Sequence, residues 1–196
     1  MIDDVLIVAR EIPNEKIIRF LGYEISKAGE KTIAMIDALK EELISVSQPK
    51  YVYKEFDVLK SEHSVKVVGT DIIIHGKLIQ NFLKNIDKII LMAATLGQQV
   101  DRFLIYTQKR SILEGTLADA IASAYVENLC DALQATLSQE YNINGRISCG
   151  FHDFSIETQP DILKALDTPK AIGLYCNESL LMLPSKSVTA VMGVKF

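Results

Sequence analysis

A chain of 196 residues with 48% hydrophobic and 23% charged residues and a formal net charge of −4 is long enough to bury a sizeable core as one domain. No basic run exceeds Lys109-Arg110, which leaves no stripe to displace counterions from nucleic acid. The longest apolar stretch, residues 89–96, is far short of the ~20 residues needed to cross a bilayer.

Asp3 and Asp4 stand ahead of the apolar residues 5–9, the opposite of a secretory signal's basic start, and the odd number of widely spaced cysteines makes a reducing cytoplasm the expected location. Residues 1–10 mix apolar and acidic side chains and read as a strand or an arm. Pro13-Asn14-Glu15 opens a short helix through Phe20 and Leu21 that Gly22 stops. Gly29 precedes a clearer helix over residues 30–46, in which Ile33, Ile36, Leu39, Leu43 and Ile44 recur at helical spacing, with Pro49 just beyond. Period-two alternation then takes over around Tyr51 and Tyr53. Residues 65–68 and 71–74 flank Gly69-Thr70, as in a hairpin or a break between strands. A short helix over 77–84 and a buried strand over 88–93 follow.

Ala94-Thr95-Leu96-Gly97 leads into a helix over 98–109. A glycine at such a turn can open a phosphate cradle, but Gly97 lacks the companion glycines and lysine of any phosphate motif, and a turn-shaping role is the better reading. The longest helix spans about 111–140, with a broad apolar face that includes Leu113, Leu117, Ile121, Leu129 and Leu133; Asn142 and Gly145 are expected to end it. Beyond lie a polar turn, a helix over 158–166, an excursion at Asn177-Glu178-Ser179 and an apolar strand over 188–194. The β segments cluster in short runs instead of alternating strictly with helices. This predicts an α+β fold with a mainly antiparallel, twisted sheet and packed helices. The whole of 1–196 forms one domain, its N-terminal part helical and its C-terminal part, from about 143, carrying the ligand turn.

Three widely spaced cysteines, Cys130, Cys149 and Cys176, imply no disulfide framework, and with His63, His75 and His152 equally scattered no zinc site is expected. No catalytic triad, nucleophile elbow or dinucleotide fingerprint is present. Candidate chemistry concentrates in Gly145-Arg146-Ile147-Ser148-Cys149-Gly150-Phe151-His152-Asp153-Phe154. The Arg146 guanidinium is a planar fork suited to a carboxylate or phosphate, or it is a surface ion-pair residue. Glu127 can receive an ammonium group or simply be solvated; the two together would suit the ends of a zwitterionic amino acid. Phe151 can stack on a flat ring or belong to the core. Asp153 can meet a ribose hydroxyl or form a turn. Glu178 and Ser179 read as a polar turn.

Three blocks resemble the activation domain of cobalamin-dependent methionine synthase. Arg146-x-x-x-Gly150-Phe151, continuing to Asp153, is similar to that family's Arg-x-x-Pro-Gly-Tyr turn. Asn177-Glu178-Ser179-x-x-Met182-x-Pro184-x-x-Ser187-Val188 is similar to its Thr-Glu-Ser…Met-x-Pro…Ser-Val segment. Ala94-Thr95-Leu96-Gly97 with Val126-Glu127-Asn128-Leu129, and Arg19-Phe20-Leu21-Gly22-Tyr23, add weaker support. The resemblance implies a chain that binds S-adenosylmethionine, with Arg146 on the methionine carboxylate and Glu127 on the amino group. Gly150, Phe151 and the backbone around Asp153 would lie along the nucleoside, and Cys149, His152 and Glu178 are additional candidates. Asp3 and Asp4 are candidates for the aspartate that the family's N-terminal arm contributes.

It further implies a stand-alone reactivation subunit that supports reductive methylation of cob(II)alamin, the cobalamin being carried by a partner methionine synthase or corrinoid protein. Flavodoxin or another one-electron donor would supply the electron. Phe151 stands where the family has tyrosine and Cys149 where it has proline, and the chain stops at Phe196 where larger members continue. The alternative is therefore an accessory or small-molecule-binding protein for another corrinoid methyltransferase, with altered or lost S-adenosylmethionine binding.

Overall fold

The computed structural model describes residues 3–22 and 29–195. Met1, Ile2, Phe196 and the Tyr23 of the Arg19-containing block lie outside the described residues. In chain order the elements are α1 (Asp4–Ala9), α2 (Asn14–Phe20), α3 (Glu30–Val46), β1 (Lys50–Lys60), β2 (Val65–Val67), β3 (Ile73–Ile74), α4 (Lys77–Phe82) and β4 (Lys88–Thr95). They continue with α5 (Gln98–Arg110), α6 (Ile112–Leu137), β5 (Asn142–Ile147), α7 (Gln159–Ala165), α8 (Thr168–Ala171), β6 (Tyr175–Cys176), β7 (Met182–Leu183) and β8 (Ser187–Lys195). No helix among the described residues is long and apolar enough to cross a membrane.

The chain divides into two compact units. The first takes Met1–Lys50, Thr95–Leu133 and Pro184–Lys186; the second takes Tyr51–Ala94, Gln134–Leu183 and Ser187–Phe196. In the first, α3 buries Ile36, Leu39 and Leu43, the apolar row its spacing predicts. Residues 4–9 are helical, where a strand or an arm was expected. The Asp3 carboxylate accepts the Val5 amide at 3.0 Å and so caps α1. The end of α1 is held from afar, because the Asn128 amide group donates to the carbonyls of Val8, Ala9 and Glu11 at 3.3, 3.0 and 3.2 Å. Lys16 reaches the same part of α6, pairing with Asp131 at 2.6 Å and donating to Asn128 Oδ1 at 3.0 Å.

Residues 184–186 form a short strap across the first unit. The Ser185 hydroxyl and amide donate to the Asp101 carboxylate at 2.6 and 3.0 Å. Lys186 Nζ lies 2.8 Å from Asp119 and 2.9 Å from Ser123 Oγ, and the Leu96 amide donates to the Lys186 carbonyl at 3.0 Å.

The second unit carries the sheets. Six strands run in the order β3-β2-β1-β4-β8-β5, and β6 pairs with β7 in a separate ribbon. The fold is α+β with a mainly antiparallel sheet: β1 with β2, β2 with β3, β5 with β8 and β6 with β7 are antiparallel. β4 and β8 are adjacent interior strands, and both are buried along nearly their whole length because both faces are covered. The core gathers Ile72, Ile74, Ile79, Ile89, Leu91, Phe154, Ile162, Leu174 and Val191, among others.

α6 ends at Leu137, earlier than expected, and Asn142 already begins β5, so neither Asn142 nor Gly145 terminates the helix. Gly145 has φ 104° and sits where the register shifts: Ile143 pairs with Val194, but Arg146 pairs with Met192. Three steps along β5 match two along β8, which is a bulge. Cross-strand partners share a face, so the extra residue puts Arg146 on the face of Ile143; an unbroken alternation would send it to the other.

Candidate functional site

The second unit holds most of the expected ligand residues in one stretch. Arg146, near the end of β5, is half-buried, and its Nη1 donates to Gln134 Oε1 at 3.4 Å. The chain then folds into a tight turn over residues 148–154. The Phe151 amide donates to the Ser148 carbonyl at 3.3 Å, the Phe154 amide to the Phe151 carbonyl at 3.0 Å, and the Gly150 amide to the Phe154 carbonyl at 2.8 Å. Two positive φ values fall within three residues, 84° at Gly150 and 52° at His152. For a histidine that conformation is uncommon and persists only where the surroundings hold it.

The two aromatic rings of the turn part company. Phe154 is 1% exposed in the core, while Phe151 is 64% exposed at the tip. Phe151 is thus available to a flat ligand and is not a core residue. His152 is also exposed.

Asp153 is a turn residue with a second task. Its carboxylate accepts the Leu78 amide at 2.9 Å and the Ile79 amide at 3.3 Å, capping the first turn of α4. The Leu78 amide, with that of Ile79 adding to it, holds the Asp153 carboxyl below its ordinary range, against an opposing effect of burial. Gly76 makes the approach possible: at φ 117°, a Cβ there would lie 2.6 Å from the Asp153 carbonyl oxygen. Sequence reasoning missed this contact and offered Asp153 to the ligand; only the glycine just ahead of α4 hinted at it.

Cys149 packs into the core beneath the turn. Burial pushes its thiol up to about 12, although a hydrogen bond with the Thr189 side chain works the other way. The thiolate is the reactive form, so Cys149 stays protonated and inert at neutral pH. We expect alkylation at pH 8 to label half-buried Cys176 while Cys149 stays unmodified until the protein is unfolded, as read by peptide mass spectrometry. Equal labelling of the two in the native protein would contradict this placement.

Glu178 is exposed in the loop between β6 and β7, where the Ser179 and Leu181 amides donate to Asn177 Oδ1, each at 3.0 Å. Glu127 is half-buried on α6 and belongs to the first unit, whereas Arg146 belongs to the second. Each unit also has a groove. One of about 440 Å³ in the first is lined by Phe20, Leu104, Ile112, Asp119 and Ser123, among others. One of about 430 Å³ in the second has Lys54, Lys66, Asp71, Asp161 and Lys164 in its walls, where Lys164 and Asp71 pair at 2.7 Å. Neither groove is lined by the expected ligand residues. Among the described residues no group of three or more histidine, cysteine, aspartate or glutamate side chains converges as a metal site.

The chain, α+β with a mainly antiparallel sheet and packed helices, has the fold of the MetH reactivation domain. The crystal structure of the MetH reactivation domain bound to AdoHcy matches it with a TM-score of 0.72, over 96% of this chain and 74% of that one, at 13% sequence identity. At that identity the likeness is one of fold. No family model matches the chain, and no curated protein matches it in sequence.

Proposed function

We propose that the protein binds S-adenosylmethionine, and its demethylated product AdoHcy, along the Arg146 strand and the 148–154 turn, and that it acts as a stand-alone reactivation subunit for a cobalamin-dependent methionine synthase. The observation that carries this reading is the fold likeness to an AdoHcy-bound reactivation domain over 96% of the chain. The chemistry of the stretch agrees with it. A guanidinium fork suits the amino-acid carboxylate, and the exposed Phe151 ring suits the flat adenine. Glu127 is the residue we assign to the amino group. Asp153 contributes through its main chain, since both of its carboxylate oxygens accept α4 amides.

A sulfonium methyl group is already activated, so the protein has no need of a nucleophile or a general base; its task is to hold the methyl group in line for transfer. Cobalamin, carried by a partner methionine synthase or corrinoid protein, supplies the reducible metal that takes the methyl group, with flavodoxin or another one-electron donor completing the reduction. A second reading is favoured by Cys149 and Phe151 at positions where the related motif has proline and tyrosine. The fold would then serve another corrinoid methyltransferase as an accessory protein with altered or lost S-adenosylmethionine binding.

Titration calorimetry of the full chain with S-adenosylmethionine and with AdoHcy separates the two readings. Saturable heat with both ligands is the expected result. No heat at millimolar ligand would sink the ligand assignment and favour the second reading. The partner role is checked by mixing the chain with a cob(II)alamin-bearing synthase that lacks its own activation domain, S-adenosylmethionine and a one-electron reductant, and following recovery of methylcobalamin by absorbance; recovery that depends on the chain is expected, and none would remove the subunit role.

A further inference from the structure

The stretch that carries Arg146 and Phe151 is fastened at both ends to one short helix. At the first turn of α4, Asp153 accepts two amides, from Leu78 and Ile79. At its last turn, the Asn144 side chain donates to the Phe82 carbonyl at 3.3 Å. Next to Asn144, a Cβ on Gly145 would sit 3.7 Å from the Phe82 ring, in ordinary contact, so β5 runs directly against that end of the helix. α4 is itself anchored through Ile79, which is wholly buried in the core of the second unit. Between the two fastenings lie the Gly145 bulge that turns Arg146 to its face and the turn that lifts Phe151 out of the core.

Such a frame answers a specific physical need. The turn holds His152 at φ 52° and Gly150 at φ 84°, and three backbone hydrogen bonds close it from within. Cys149 and Phe154 hold the base of the turn in the core, but its tip, residues 150–153, is exposed, and the unfavourable histidine conformation there needs a restraint of its own. Asp153 supplies that restraint immediately after the histidine, and Gly76 is the residue that lets the Asp153 backbone come close enough to do so.

We infer that Asp153 and Asn144 are positioning residues, which use α4 as a jig to set the separation and orientation of Arg146 and Phe151 for the ligand. This inference rests on the ligand-binding reading above, and it locates part of the specificity in residues whose side chains never touch the ligand. A preformed site avoids the cost of ordering a loop on binding, so loosening the jig weakens affinity even where every contacting side chain remains.

The test uses the full chain with two readouts, amide hydrogen exchange without ligand and calorimetric affinity for AdoHcy. The variants are Asp153→Ala, its conservative counterpart Asp153→Asn, Asn144→Ala and Gly76→Ala. Ile72→Val, a trimmed core residue of the same unit, controls for loss of stability alone. In Asp153→Ala the Gly150 and Phe154 amides should exchange at least about tenfold faster, and AdoHcy should bind at least about tenfold more weakly, the size expected for losing a hydrogen bond to a charged group. Asp153→Asn should restore part of both effects, because its amide oxygen still accepts. Gly76→Ala should resemble Asp153→Ala, and Ile72→Val should lower stability with affinity unchanged.

The inference is overturned if the Gly150 amide in Asp153→Ala exchanges as in the wild type, or if the turn loosens and affinity does not change. It is also overturned if Ile72→Val weakens binding as much as Asp153→Ala does. Should the wild-type protein bind no AdoHcy, the ligand reading fails separately, and the exchange data alone decide whether α4 holds the turn. Should Gly76→Ala not fold, the two Asp153 variants and Asn144→Ala carry the test.

Discussion

Truncation of Phe154 to alanine is expected to lower stability by about 3–5 kcal/mol, the usual cost of deleting a buried aromatic ring. The ring is 1% exposed, in the cluster that also holds Ile79, Ile162, Leu163 and Val191. Its loss leaves a cavity beneath the turn that this well-tied segment has little freedom to fill. Domains are stable by only about 5–15 kcal/mol, so a change of this size removes a large part of the margin. Phe151, three residues earlier and 64% exposed, provides the contrast: Phe151→Ala should change stability by no more than about 0.5 kcal/mol. Urea denaturation of both variants beside the wild type would check the pair. A Phe154→Ala midpoint indistinguishable from that of Phe151→Ala would refute the assignment of one ring to the core and the other to the surface.

The largest effect on ligand affinity is expected from Arg146→Ala. A charge-assisted hydrogen bond to a carboxylate contributes about 1.5–3 kcal/mol, so its removal should weaken binding of S-adenosylmethionine and AdoHcy by about 10- to 150-fold. Stability should change less than affinity, because Arg146 is only half-buried and its bond to Gln134 is long, at 3.4 Å. Arg146→Lys keeps the charge but loses the planar fork, so it should recover part of the affinity and not all of it. Calorimetry on the three proteins reads this directly. An Arg146→Ala protein that binds as well as the wild type would take Arg146 out of the site and reopen its reading as a surface ion-pair residue.

What could be read from the residues alone followed the range of the interactions involved. The bounds of α3 were legible because everything that sets them is local: Gly29 ahead of it, Pro49 beyond it, and a row of apolar residues at helical spacing between. β4 was legible for a similar reason, since an unbroken apolar run between polar ends leaves few alternatives. α1 was misread because six residues of mixed pattern are ambiguous between helix and strand; what decides them is Asn128, more than a hundred positions later. Gly145 was misread as a helix terminator because its need for positive φ was visible, whereas the β8 register that makes it a bulge was not.

The same limit applies at the site. Arg146 and Phe151 were singled out from residue type, and the exposure of Phe151 fits a ligand-facing ring. The task of the Asp153 side chain was hidden because its partners, Leu78 and Ile79, lie 75 and 74 positions back along the chain. No local pattern announces a cap supplied from that distance.

The strap at 184–186 also bears on the order in which the protein can be completed as it is made. Asp101 and Ser185 are 84 positions apart, and Ser123 and Lys186 are 63 apart, yet they close the same unit. A ribosome releases the helices of the first unit early, but the segment that ties Asp101, Asp119 and Leu96 together emerges only after nearly all of the second unit has been synthesised. Long-range closures of this kind slow folding, because the entropy of a large loop must be given up before its contacts form. The first unit therefore begins first but cannot close until the strap emerges, and until then its α5–α6 region waits unfastened.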